Sequence, residues 1–308
     1  MDESDIKIVM LLNINSRLSY RKLADYLDLS LNAAYKRVQN LIDLGVIQRF
    51  LAKINPYAIG AIYVYTFGKS DTHNIDKTIL DLEQNENISQ IVLTSRNYIY
   101  IGAFLRSYHE LGEYSSFISN TAEIQSPIIG LRDGSYHSLP IDHVYPKTKV
   151  LNIDKLDLSI IRSLHKDSRK PISEIADDLG STPSTIRRRL SRLITNGVIE
   201  LTTNLHPEAS GDIFSILIIN LRSSIDRIEF AKLINSKYQP FIMFCYTFSN
   251  LPNTLLFWVW TKTIKQLNIL LDDIQKEEVE SVITDIIRKG MFLDTWKEDL
   301  LYKEEISI

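Results

Sequence analysis

The chain has 308 residues, 44% hydrophobic and 24% charged, which is enough for several apolar cores and excludes wholesale disorder. Its one cysteine, Cys245, excludes a disulfide framework and any zinc site built from several cysteines. No apolar run reaches the roughly 18 residues that span a bilayer, and the acidic start of the chain lacks the basic flank of a signal peptide, so we expect a cytoplasmic protein.

The first half of the chain resembles the second. Residues 5–47 align without a gap with residues 157–199, at an offset of 152, and 14 of the 43 aligned positions are identical. A period of this length is too long for a solenoid and indicates two copies of a two-part module. We therefore predict four domains, with boundaries at 1–56, 57–148, 149–207 and 208–308.

Each copy begins with three helical patterns. In the second copy Thr182 is a suitable N-cap, Pro183 a suitable first residue and Asn196-Gly197 a suitable end for the third helix, and in the first copy Ser30 and Gly45 bound it. Three residues separate the second and third helices, which is typical of a helix-turn-helix. The pattern predicts recognition helices at about 31–44 and 183–196. The strands that follow, Val46–Leu51 and Val198–Thr202, are expected to form a β-wing behind each helix.

The second part of each copy has the order βαββαβ, that of a ferredoxin-like domain. In the first copy the predicted elements are Ala61–Phe67, Ile75–Gln84, Ile88–Thr94, Tyr98–Leu105, Tyr108–Thr121 and Ile128–Leu131. In the second copy they are Ile213–Asn220, Asp226–Ser236, Phe241–Phe248, Thr254–Thr261, Ile264–Lys276 and Val279–Ile287. Residues Lys147–Asp154 are expected to join the copies, and the fold class is α+β.

The positive charge lies on the helix-turn-helix segments. The formal net charge is −3, yet residues 16–53 hold seven Lys/Arg against three Asp, and residues 168–205 hold six against four acids. Residues 182–196 contain Arg187, Arg188, Arg189 and Arg192 and no acid. Because four uncompensated guanidinium groups on one exposed helix repel one another, this cluster indicates a polyanion partner, double-stranded DNA. A solvated helix face is the plain alternative.

Residues near the start of a recognition helix usually contact base edges in the major groove. In the second copy we expect Ser184, Thr185 and Arg188 to contact bases and Arg187, Arg189 and Arg192 to contact phosphates. In the first copy we expect Asn32, Ala33 and Lys36 to face the bases. Arg37, Gln39 and Asn40 complete that surface, the amides as readers of base edges.

The segment SRKPISEIADDLGSTPSTIRRRLSRLITNGVI, residues 168–199, resembles the Lrp/AsnC (feast/famine) family of transcription regulators, and residues 16–47 look like a diverged version. The resemblance implies that each winged helix-turn-helix is followed by a RAM-like βαββαβ domain, through which such proteins form oligomers. Two pairs in one chain would make a pseudo-dimeric tandem repeat with two unlike DNA readers, hence an asymmetric operator. It implies a regulator that is not an enzyme and needs no cofactor or metal.

Many members of the family bind amino acids near a Gly-x-x-Asp-type segment before the third strand. Here that segment reads Ser95-Arg96-Asn97-Tyr98 in the first copy and Ser249–Asn253 in the second, so both the glycine and the acid are missing. No amino-acid site is carried over, and another effector or none is equally open. The operator, the direction of regulation and the oligomeric state are also open.

Two other function classes fit the architecture. One is an enzyme resembling haem-pathway decarboxylases, although the six histidines are scattered, His165 reads as an exposed loop residue and Cys245 as a core residue. The other is an interaction scaffold without DNA contacts. The alternation in Phe257-Trp258-Val259-Trp260 places the two tryptophans on one face of a strand, suited to core packing or an oligomer interface. Residues Lys297–Glu305, with four acids, read as a solvated tail.

Overall fold

The computed structural model describes residues 1–137, 139, 152–277, 279–303 and 306–307, so most of the predicted connection Lys147–Asp154 lies outside the described residues. Contacts group the chain into two compact units, and each unit combines one part of each copy. The barrel unit comprises Met1–Ile6, Ile62–Leu139 and Pro207–Leu293. The helical unit comprises the described residues of the ranges Lys7–Ala61, Pro140–His206 and Asp294–Ile308.

The order of helices and strands in the first half recurs in the second half, which has an additional short strand at its start and an additional short helix and strand at its end. The first half contains α1 (Glu3–Ile14), α2 (Tyr20–Leu27), α3 (Leu31–Asp43), β1 (Ile47–Ile54), β2 (Ile62–Lys69), α4 (Ile75–Glu83), β3 (Ile88–Thr94), β4 (Tyr98–Leu105), α5 (Leu111–Thr121) and β5 (Ile128–Tyr136). The second half contains β6 (Asn152–Ile153), α6 (Lys155–His165), α7 (Ile172–Asp178), α8 (Pro183–Thr195), β7 (Ile199–Leu205), β8 (Ile213–Leu221), α9 (Arg227–Lys237), β9 (Ile242–Phe248), β10 (Leu251–Thr261), α10 (Ile264–Ile274), β11 (Val279–Phe292), α11 (Trp296–Asp299) and β12 (Ile306–Ser307).

Local signals set the ends of the third helix in each copy, as the sequence predicts. The Thr182 hydroxyl accepts the backbone N–H of Thr185 at 3.2 Å at the start of α8, and Ser30 caps α3 through Ala33 at 3.1 Å. Gly45 and Gly197 follow the helices with φ of 76° and 67°, a left-handed conformation that glycine adopts without a steric cost. The buried face of α8 consists of Ile186, Leu190 and Leu193.

The two strands predicted as separate wings pair with one another. β1 and β7 are antiparallel partners with Ile54 opposite Ile199 and Phe50 opposite Thr203. Neither strand has a hairpin partner within the described part of its own copy. The backbone N–H and C=O groups along one edge of each strand therefore bond to the strand of the other copy. The wing is therefore shared between the copies.

Identical residues of the two copies meet across this shared sheet. The hydroxyls of Ser16 and Ser168 lie 2.6 Å apart and are both buried. Arg17 donates to the carbonyl oxygens of Ser168 and Lys170, the latter at 3.0 Å, and Arg169 donates to Ser16 at 2.8 Å. The contact is isologous, as in a two-fold dimer, although it forms within one chain.

The barrel unit is built from the strands of both βαββαβ segments. Within the described residues, eight strands close into a barrel in the order β10-β8-β11-β3-β4-β2-β5-β9. The halves join where β11 pairs with β3, Ile287 opposite Thr94, and where β5 pairs with β9, Ser135 opposite Tyr246. An interior of this size is filled by side chains or holds one small ligand.

The outer face of the barrel is covered by helices. Phe257 and Val259 pack in one apolar cluster with residues of α9 and α10, so the alternation predicted for this strand is confirmed. Trp260 lies on the opposite face and donates its indole N–H to Asp212 at 3.0 Å. Cys245 is fully buried in the same cluster, which confirms its reading as a core residue.

The C-terminal segment is not a solvated tail within the described residues. Lys297 and Glu298 are buried in α11, and Leu301 joins the apolar core of the helical unit. His165 is the last residue of α6 and is half-buried, not an exposed loop residue. Its Nδ1 lies 3.0 Å from the carbonyl oxygen of Ala52, and its Nε2 lies 3.8 Å from Asp294. Both predictions are wrong because residues far away in the sequence cover these side chains. No described helix has the length and apolarity needed to traverse a membrane.

Candidate nucleic-acid interface

The solvent face of α8 presents two arginines that have no counter-ion in the described parts of the chain. Since Ile186, Leu190 and Leu193 fix the buried face, Ser184, Arg187 and Arg188 are exposed. Neither Arg187 nor Arg188 has a carboxylate partner among the described residues. Two adjacent guanidinium groups on an exposed helix form a local excess of positive charge, which attracts an anionic partner.

The N-terminal turn of α8 also presents hydroxyl groups. The Thr182 hydroxyl contacts those of Ser184 and Thr185 at 2.9 and 3.0 Å. Ser184 is exposed and Thr185 is half-exposed. Because a hydroxyl both donates and accepts, each can make a further hydrogen bond to a base edge or a phosphate.

The prediction of four uncompensated arginines is wrong for Arg189 and Arg192. Arg189 donates to Asp154 at 2.7 Å and to Asp157 at 3.1 Å, and Arg192 donates to the other oxygen of Asp157. Asp154 and Asp157 begin α6, more than 30 residues earlier in the chain, and the Asp157 side chain is fully buried. These two arginines therefore hold α8 against α6.

The ion pairs perturb the titration of their members. Burial is the largest single effect on Asp154 and opposes its ionisation, but the hydrogen bond and positive charge of Arg189, together with backbone hydrogen bonds from Asp157 and Leu156, outweigh it and lower the pKa of this carboxyl group. The bond to Asp154 in turn raises the pKa of the Arg189 guanidinium. Asp154 also accepts the backbone N–H of Asp157 at 3.0 Å, so one residue both caps α6 and anchors α8.

The first copy presents a different surface at the same positions. Asn32 and Lys36 of α3 are exposed, and Gln39 and Arg37 are half-exposed. By the offset of 152, Asn32 corresponds to Ser184, Lys36 to Arg188 and Arg37 to Arg189. Lys36 has no carboxylate partner among the described residues. The structure thus brings Asn32 and Lys36 to one solvent face of α3.

Two features of α3 and α8 were not predicted from the sequence. The first is the pair of acids that holds Arg189, although a signal exists, since both this arginine and Asp157 recur in the first copy as Arg37 and Asp5. The second is the exposed apolar surface of α3, where Leu31 and Tyr35 are 50% and 47% exposed. The helical pattern marks both positions as solvent-facing but does not explain large apolar residues there.

The segments considered for an effector are tight strand connections. Asn97, between β3 and β4, has a left-handed backbone with φ of 58°. Asn250, between β9 and β10, accepts the backbone N–H of Leu131 at 2.8 Å and donates to the carbonyl of Ile129 at 2.8 Å. The second connection therefore serves to join the two halves of the barrel.

Two family descriptions match the chain: "AsnC-type helix-turn-helix domain" over residues 1–42 and "winged helix-turn-helix DNA-binding" over residues 153–200. Regulatory protein AsnC of Haemophilus influenzae is 32% identical over 136 residues, 41% of this chain and 89% of that protein. The transcriptional regulator FL11 of Pyrococcus furiosus is 31% identical over 140 residues, 44% of this chain and 90% of that protein. Each relative thus matches nearly its whole length to less than half of this chain.

Among solved structures, the siroheme decarboxylase NirDL is similar over almost the whole chain. The TM-score is 0.60, with 98% of this chain and 97% of that chain covered, at 12% sequence identity. At this identity the likeness is one of fold.

Proposed function

Because the chain belongs to the Lrp/AsnC family of transcription regulators, we propose that it binds a specific double-stranded DNA site with α8 and α3 in the major groove. Within α8, Ser184, Thr185 and Arg188 contact base edges, and Arg187 contacts a phosphate. Asn32 and Lys36 take these roles in α3, with Arg37 and Gln39 flanking them.

One observation carries the proposal: Arg187 and Arg188 are exposed on the solvent face of α8 and have no carboxylate partner among the described residues. Of the four arginines of this helix, Arg189 and Arg192 pair with acids of the protein, and Arg187 and Arg188 pair with none in the described part of the chain. Since a bidentate arginine is the commonest reader of guanine and any arginine can neutralise a phosphate, the free pair suits the major groove. Arg189 and Arg192 are left out of the proposed contacts because acids occupy their donors.

The test is recovery of bound genomic DNA by the wild type and by the Arg187→Ala/Arg188→Ala variant. We expect site-specific recovery that is lost in the variant while its circular dichroism is unchanged. On a recovered site, the slope of log affinity against log salt should fall by about 0.9 for each phosphate contact removed. The matched control Arg222→Ala/Arg288→Ala removes the same charge from exposed positions of the barrel unit and should change neither quantity. Equal loss in both variants would contradict the proposal.

The proposal includes a tandem duplication. The gapless alignment, the repeated order of elements and the isologous Ser16–Ser168 contact support two winged helix-turn-helix domains, each followed by a RAM-like domain, with the boundaries given above. The strands of the two RAM-like segments already pair with each other in one closed barrel. A homo-oligomer would therefore form through a surface other than the edges of these strands. Light scattering on the purified chain measures that state.

We also propose that a small-molecule effector binds in the barrel unit and modulates DNA binding. The Tyr65 hydroxyl and the Trp258 indole N–H are buried without a hydrogen-bond partner among the described residues. Burial raises the pKa of Tyr65. Because unsatisfied buried polar groups are costly, a polar ligand that reaches them would be stabilised. A shift of melting temperature with a metabolite panel, absent in Tyr65→Phe, is the expected result.

A tetrapyrrole-processing enzyme is the alternative suggested by the fold of NirDL. The described residues contain no group of three or more His, Cys, Asp or Glu that could hold a metal ion, and the likeness in fold is the observation behind this alternative. An absorbance change on addition of a tetrapyrrole is the experiment that would favour it.

A further inference from the structure

The two recognition helices differ in chemistry at matching positions. By the offset of 152, Leu31 and Tyr35 of α3 stand where Pro183 and Arg187 stand in α8. Leu31 and Tyr35 are four residues apart and therefore lie on one face, beside the exposed Asn32 and Lys36. The face that is cationic and hydroxylic in α8 is apolar and aromatic in α3, with a single lysine.

Tyr35 is held in place by its neighbours. Its ring meets the ring of Tyr20 edge-on, with centroids 5.2 Å apart. The Arg169 guanidinium stacks over the other ring at 5.0 Å from the centroid of Tyr20, and the same group donates to the carbonyl oxygens of Ser16 and Leu18. A chain of contacts that begins in the second copy thus orients Tyr35, which lowers the entropy it loses on binding.

Among the described residues, the second copy has no equivalent arrangement at the matching place. Tyr20 corresponds to Ile172, and Tyr35 corresponds to Arg187. The difference between the helices therefore includes both the reading residue and the residue that supports it. This is a coordinated difference and not a single substitution.

Base edges in the major groove offer one apolar feature, the methyl group of thymine. An apolar side chain set against a guanine or adenine edge would remove water from base donors and acceptors without replacing its hydrogen bonds. We infer that α3 reads thymine through contacts of Leu31 and Tyr35 with thymine methyl groups, whereas α8 reads guanine through Arg188. The operator then has two unlike half-sites. This inference rests on the proposed function.

The experiment starts with selection of bound duplexes from a random pool by the full chain, followed by affinity measurements on the selected site. Each thymine is then replaced by uracil, which lacks only the methyl group. We expect one thymine-bearing and one guanine-bearing half-site. Uracil at a contacted position should weaken binding about fourfold, the value of one buried methyl-sized group.

Variants assign the contact to the residue. At the thymine that Tyr35 contacts, Tyr35→Ala should bind the thymine and uracil forms equally, whereas Tyr35→Phe should keep the difference because its ring still reaches the methyl group. Arg187→Ala should weaken binding and retain the thymine-to-uracil ratio. Tyr108→Ala, which removes a 66% exposed tyrosine of the barrel unit, should behave as the wild type.

The experiment distinguishes failure of thymine reading by α3 from failure of the proposed DNA binding. Failure to recover any specific site overturns the proposed function. A specific site with guanine in both halves, or a thymine-to-uracil ratio of one in the wild type, overturns the inference and leaves the proposed function standing. DNA affinity that is unaffected by Tyr35→Ala also overturns it, and would point to a protein partner on this face of α3.

Discussion

Asp157 is the residue on which the assignment of the α8 arginines depends. The substitution Asp157→Asn keeps the shape of this fully buried side chain but removes the charge that holds Arg189 and Arg192. Removing one partner of a buried ion pair costs about 3–5 kcal/mol. Here the side chains of Arg189 and Arg192 are 21% and 39% exposed, and Arg189 keeps Asp154 at 2.7 Å, so water and the second acid offset part of the loss. We expect a loss of about 2–3 kcal/mol.

Urea denaturation followed by circular dichroism measures this loss. The matched control is Asp178→Asn, which removes the partner of Lys170 on an exposed part of α7 and should leave the midpoint unchanged. If Asp157→Asn unfolds at the wild-type urea concentration, or if both variants lose stability equally, Arg189 and Arg192 are not structural. The division of the arginine cluster would then be refuted.

The His165–Asp294 pair should make stability depend on pH. The carboxylate of Asp294 raises the pKa of His165 against the effect of burial, and His165 lowers the pKa of Asp294 to about 2. The histidine contribution is thus complete below its ordinary pKa and is lost as pH rises through the raised value, while the carboxylate contribution is lost as pH falls towards about 2. Melting curves of His165→Gln should lack the decline near neutral pH; a decline that persists would rule out this pair as its source. Gly102→Ala should lower stability by about 1–3 kcal/mol, because the added carbon would lie 2.2 Å from the Tyr63 hydroxyl, whereas Gly112→Ala has open space and should not. Equal melting temperatures of the two glycine variants would contradict this packing.

Repetition made much of the fold readable. Because the two copies align without a gap, the clear caps at Thr182 and Pro183 in the second copy also locate the weaker start at Ser30 in the first. Helix ends depend on residues within one turn, so the sequence is informative about them. The strand and helix order of the βαββαβ segments followed from the same local periodicities, with boundaries that differ by a few residues, as where β11 continues to Phe292.

Contacts between residues far apart in the sequence could not be predicted from these local signals. Within residues 182–196 the four arginines of α8 look alike, and only the tertiary structure places Asp154 and Asp157 beside two of them. The same holds for the strand pairing of β1 with β7. The sequence shows that a strand edge requires hydrogen-bond partners and that a guanidinium group favours an acid. Which residues supply them depends on the elements that pack together in the fold.

The sequence by itself determined that this chain carries two helix-turn-helix segments with basic third helices, because capping, periodicity and charge are local properties. Only the tertiary structure decided which charges remain available to a partner. Whether an arginine attracts an external anion depends on the charges close to it in space. The carboxylates that neutralise Arg189 and Arg192 lie more than 30 residues away along the chain but only about 3 Å away in the fold.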